Sequence, residues 1–145
     1  MKPFFIIISC LVLAKFCLAQ SLTKSIDYQY FRDDKTYYAY SISRNITPSD
    51  KLLFIDFCIN KPFKKIEKIC LIEGGKEYKL KITTNNKTAS SDNPEIRFYS
   101  LIINSVDLIK EHIKCESIIA FKLDDATVVS LPFNKCLIIE SLNKG

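Results

Sequence analysis

The chain has no tryptophan, one histidine and three glycines among its 145 residues. A lone histidine, His112, rules out zinc sites built on paired histidines. It also leaves serine or cysteine hydrolysis with a single possible base, and no serine lies in a Gly-x-Ser-x-Gly setting. With so few glycines, no glycine-rich loop is available to cradle a phosphate. No Cys-x-x-Cys pair of the redox or zinc type occurs either: after Cys17 come Cys58, Cys70, Cys115 and Cys136, with 11, 44 and 20 residues between them. The adjacent aspartates Asp33-Asp34 and Asp124-Asp125 read as turn formers and lack the ligand spacing of a calcium loop. A non-enzymatic protein without metal or cofactor is the expectation.

What the sequence does contain begins with an export signal. Met1-Lys2 gives a positive start, Phe4 to Leu13 is nearly all apolar, and Cys17-Leu18-Ala19 places small residues where signal peptidase reads, so residues 1–19 are expected to be removed. Lys15 interrupts the apolar run well short of the roughly 20 residues that a spanning helix needs. No later run is long enough either, so no transmembrane segment is expected. Residues 20–145 then form one secreted, extracellular domain, expected to be monomeric. Loss of Lys2 and Lys15 leaves 19 basic against 16 acidic residues, a mature charge of +3. That is mildly basic and does not point to nucleic acid.

Leu52 to Ile82 organises the rest. Leu53, Ile55, Phe57 and Ile59 alternate with Phe54, Asp56 and Cys58, which predicts a strand with one strongly buried face. Glu73-Gly74-Gly75-Lys76 is a tight-hairpin signal, with Tyr78, Leu80 and Ile82 alternating after it. Pro62 to Ile69 reads as a bend entering a strand. Tyr28, Tyr30 and Phe31, then Tyr37, Tyr38 and Tyr40 around Asp33-Asp34-Lys35, predict an aromatic-rich first hairpin. Thr83 to Asn93 is polar and predicts a loop, Glu95 to Ile103 a central strand, and Asn104-Ser105 the cap of a helix at about 105–114. Ile118 to Leu123 and Thr127 to Leu131 predict a hairpin, and Cys136 to Glu140 a last strand. The fold class is mostly β, a single antiparallel β-sandwich or barrel-like domain of about eight strands with one short helix.

Four mature cysteines in an oxidising compartment read as two disulfides. Three connectivities are open, and short closures across chain reversals favour Cys58–Cys70 and Cys115–Cys136. Asn86 and Asn45 head glycosylation sequons expected in surface loops. A candidate binding surface comprises Lys61, Lys64, Lys65 and Lys68, suited to anionic glycans or lipid headgroups, with Tyr37, Tyr38 and Tyr40 as rigid anchors.

The whole-chain type and the spacing of Cys58, Cys70, Cys115 and Cys136 resemble small secreted arthropod venom and salivary proteins, and are similar to the two-disulfide venom protein family 2 of assassin bugs. That resemblance implies a secreted toxin-like effector and carries no site residue. Lys114-Cys115-Glu116 and Cys136-Leu137-Ile138-Ile139-Glu140 resemble stretches of the MD-2-related lipid-recognition sandwiches, which usually have a further cysteine near the mature N-terminus. Two functions follow as expectations: binding of a macromolecular or membrane target, or carriage of a lipid or small apolar ligand.

Overall fold

The computed structural model of the chain describes residues 23–46, 52–85, 97–108 and 114–144. Their strands are β1 (Thr23–Arg32), β2 (Tyr37–Asn45), β3 (Leu52–Ile59), β4 (Ile66–Glu73), β5 (Lys76–Lys79), β6 (Ile82–Asn85), β7 (Arg97–Asn104), β8 (Glu116–Leu123) and β9 (Val128–Asn134). A helical turn, α1 (Ser105–Leu108), follows β7, and a helix, α2 (Lys135–Asn143), follows β9. The strands form two antiparallel sheets, ordered β1-β2-β3-β7-β6 and β5-β4-β8-β9. The expected β class holds, with nine strands among the described residues where about eight were read.

Alternation decides which faces meet. On β3 the side chains of Leu53, Ile55, Phe57 and Ile59 are buried, as are Ile119, Phe121 and Leu123 on β8. The rings of Phe57 and Phe121 stack at 4.4 Å between centroids, so these two faces look at each other. Phe63 meets Phe57 edge-on at 6.1 Å and Tyr99 at 4.1 Å, and the Tyr99 hydroxyl donates to the Phe63 carbonyl. Each of the fully buried side chains, such as Phe57 and Phe121, contributes roughly 1.5–3 kcal/mol. The inner faces of both sheets thus share one apolar cluster.

The chain changes sheet at positions the sequence pattern only partly shows. Gly74 and Gly75, at φ of 55° and 78°, close the β4–β5 hairpin as expected. The strand read through Tyr78, Leu80 and Ile82 is broken, however. Leu80 is buried and donates its N–H to the Ile69 carbonyl, and β6 then pairs with β7 in the other sheet. Thr83 to Asn85 therefore belong to a strand rather than to the expected loop, whose remainder lies outside the described residues. β7 runs between β3 and β6, the inner position expected of it.

Cys136 to Glu140 is helical, not a strand. The Asn134 side chain accepts from the Cys136 N–H at 2.9 Å, capping α2, and Lys135, Ile138 and Ser141 fall on its buried side. The run Cys136-Leu137-Ile138-Ile139 suits either period, and the cap decides it. The expected helix over 105–114 is described only as α1, with 109–113 outside the described residues.

Cys115 and Cys136 are joined by a disulfide, as expected. Cys58 and Cys70 are free and buried, which corrects the expected second bridge. Cys58 follows Phe57 on β3, so it points outward from the five-stranded sheet. Cys70 lies between inward Ile69 and Leu71 on β4, so it points outward from the four-stranded sheet. Both sheets stand between the two sulfurs, whereas a disulfide needs its Cα atoms within about 7 Å.

Candidate functional site

Among the described residues the hairpin of β1 and β2 presents the most exposed aromatic side chains, and its own polar residues shape it. Asp33 Oδ1 accepts from the N–H groups of Lys35 and Thr36 at 2.8 and 2.6 Å, which closes the turn. Those backbone donors, Lys35 first, hold the Asp33 carboxyl below its usual range. Asn60, just past β3, braces the hairpin from the side. Its Oδ1 accepts from Tyr37 N–H at 2.8 Å, its Nδ2 donates to the Lys35 carbonyl at 3.0 Å, and its own N–H donates to the Tyr37 carbonyl.

On this scaffold the tyrosines divide by parity. Gln29 and Phe31 pair with Tyr40 and Tyr38 on the inner side, while Tyr28 and Tyr30 pair with Ser41 and Ala39 on the outer side. Tyr28 and Tyr30 are 53% and 62% exposed, with rings 6.0 Å apart. The Tyr28 and Tyr37 hydroxyls share a hydrogen bond of 3.0 Å, which together with burial and the nearby Cys58 thiol pushes the Tyr37 pKa up. Burial in turn raises the Cys58 pKa. Alongside runs a polar row, Ser41, Asp56 and Ser100, in which Ser100 Oγ donates to Asp56 Oδ1 at 2.5 Å. The result is a rigid face of aromatic planes with hydroxyl and carboxylate groups beside them.

Of the three tyrosines proposed from sequence, only Tyr37 lies on this face. Tyr40 is fully buried and donates its hydroxyl to the Pro132 carbonyl at 2.6 Å, while Tyr38 is half-buried against Phe31 on the inner side. Tyr28 and Tyr30, part of the predicted aromatic hairpin but not of the candidate anchors, are the exposed pair. Alternation separates the two faces, since Tyr38, Tyr40 and Ile42 keep an apolar period of two while Ala39, Ser41 and Ser43 are small or polar.

The lysines do not join the tyrosines. Lys61 pairs with Asp125 at 2.6 Å and also bonds the Thr127 hydroxyl, and Lys68 pairs with Glu77 at 2.7 Å. Lys64 and Lys65 are exposed in the bend before β4, their N–H groups held by Asp124 Oδ1. Both aspartate pairs act within turns, as read. Asn45 ends β2 and is half-buried rather than in a loop, while Asn86 and His112 lie outside the described residues.

A depression of about 650 Å³ opens beside the disulfide, lined by Gln29, Glu73, Lys114, Glu116 and Phe133 among others. The Ser117 hydroxyl at its wall is buried and lacks a hydrogen-bond partner. Among the described residues no cluster of histidine, cysteine and acidic side chains could hold a metal ion, and no helix is long and apolar enough to cross a membrane. No protein-family model, no curated protein and no solved structure matches this chain.

Proposed function

We propose that this protein is a secreted, non-enzymatic effector, of the kind found in venom or saliva, that acts by binding a macromolecular target through the outer face of β1 and β2. One observation carries the reading: Tyr28 and Tyr30 stand exposed with their rings side by side, and the hydroxyl contact with Tyr37 holds Tyr28 in place. Tyrosines held in this way make contact area at low entropic cost, which suits a protein-binding surface. The signal-like residues 1–19 and the Cys115–Cys136 bridge support export. We take the two sheets to form a β-sandwich with a filled interior.

The filling separates this reading from the carrier alternative. Phe57, Phe121 and Tyr40 are fully buried between the sheets, with Phe121 4.4 Å from Phe57 and 5.9 Å from Tyr40, in the place where a lipid chain would lie. The open depression sets Glu73, Glu116 and Lys114 among Ile118, Pro132 and Phe133, so it is shallow and mixed rather than the apolar cavity a lipid chain needs. Native mass spectrometry of protein purified from its source tests the choice. The protein mass alone is expected, and a stoichiometric co-purifying lipid would make the protein a carrier.

A further inference from the structure

The second sheet has an outer face that the proposed contact surface does not use. Pairing register lays it out in rows: Lys68 beside Lys122, Lys79 beside Cys70 and Ala120, and Glu77 beside Ile72 and Ile118. On the far strand, Val128 continues the first row and Pro132 the third. Lys68 and Lys122 stand directly opposite each other, an arrangement of like charges that costs stability in a sheet. Glu77 bonds Lys68 at 2.7 Å, while no ion pair among the described residues holds Lys79 or Lys122; with Glu116 at the far end of the same face of β8, three lysines stand against two carboxylates. Lys68 first, and Lys122 with it, draw the Glu77 carboxyl below its usual range, and with Lys79 one row away this end of the face is net positive.

Beside that group the face exposes apolar side chains on either side of the row that ends in Ser130. Ile118 is 44% exposed and Val128 56% exposed, with exposed Pro132 in the same row as Ile118. A solvated lysine face needs no exposed isoleucine and valine next to it, and a sulfated glycan would find nothing to bond there. A bilayer surface satisfies both parts. Lysine stems lie along apolar surface while their ammonium groups reach phosphates, and the aliphatic side chains enter the headgroup boundary.

We propose that the outer face of the β5-β4-β8-β9 sheet docks on an anionic phospholipid membrane, with Lys68, Lys79 and Lys122 on the phosphates and Ile118 and Val128 at the interface. Because Phe57 and Phe121 set the two sheets face to face, docking in this way leaves Tyr28 and Tyr30 turned away from the lipid. The membrane would thus hold the protein while the tyrosine face meets its target. This inference rests on charge complementarity and does not depend on the tyrosine reading.

Vesicle flotation with the purified protein tests it, using phosphatidylcholine vesicles with and without phosphatidylserine. Flotation is expected only with phosphatidylserine and should fall as salt rises. The variant K79Q/K122Q leaves the Lys68–Glu77 pair in place and should weaken partitioning on the order of tenfold. I118S/V128S should weaken it too, while Y28S/Y30S should float like the parent. Flotation equal on neutral vesicles, or none on anionic ones, overturns the proposal. So does undiminished flotation of I118S/V128S combined with salt-resistant retention on heparin beads, which would assign the lysines to a sulfated glycan.

Discussion

Phe57 of β3 and Phe121 of β8 stack with their ring centroids 4.4 Å apart and their planes 20° from parallel. The two strands belong to different sheets, so this contact ties the sheets across the core. Phe121 also reaches Tyr40 at 5.9 Å. Replacing Phe121 with alanine should cost about 3–5 kcal/mol, because it removes a fully buried ring and leaves a cavity that Phe57 cannot fill alone. Urea unfolding measures this directly. A loss under about 1 kcal/mol would mean that the sheets are held together elsewhere.

The Cys115–Cys136 bridge ties the residue before β8 to the first turn of α2, across a sequence separation of 21. On the chain-entropy view a loop of this size stabilises by about 3 kcal/mol, so C115S/C136S should unfold that much more readily. Cys58 and Cys70, buried on opposite outer faces, should resist alkylation until the protein is denatured. Non-reducing peptide mapping that recovered Cys58 linked to Cys70 would contradict the placement of β3 and β4 in separate sheets.

Asp125 offers a test by pH. The Lys61 ammonium at 2.6 Å, then the Thr127 N–H and hydroxyl, hold its carboxyl at about 2 against an ordinary 3.8. A carboxyl depressed on folding contributes stability that is complete above its unfolded value and fades as pH falls toward the folded one. The turn should therefore loosen between about pH 4 and 2. An NMR titration should place Asp125 near 2. In K61A it should rise, stopping short of 3.8 because Thr127 still donates. An unchanged midpoint in K61A would show that the pair does not form in solution.

Much of this architecture was legible, and the failures have physical causes. Leu52 to Ile59, the Gly74-Gly75 turn and the Asp124-Asp125 hairpin depend on neighbours in sequence, and each folds as the pattern predicts. Partners across sheets depend on the whole fold. Cys58 and Cys70 are close in sequence, yet the bend from Asn60 to Lys65 carries the chain from one sheet to the other and separates them. Leu80 keeps its apolar parity but uses it to leave one sheet for the next. At the candidate site the hairpin and the division of its two faces were legible, and the choice of the exposed one was not. Which side of Tyr28 to Tyr40 meets solvent is set by Phe121 and Pro132, more than 80 residues further along the chain.

The central claim is that Tyr28 and Tyr30 form the contact surface, and competition binding tests it most directly. Labelled protein, bound to cells that take it up on their surface, is displaced with increasing amounts of unlabelled parent or variant. Saturable binding is expected. Y38F should compete like the parent, and Y28S/Y30S should be at least about tenfold weaker, since two exposed aromatic anchors are lost without touching the core. If Y28S/Y30S competes as well as the parent, the tyrosine face is not the surface through which this protein acts.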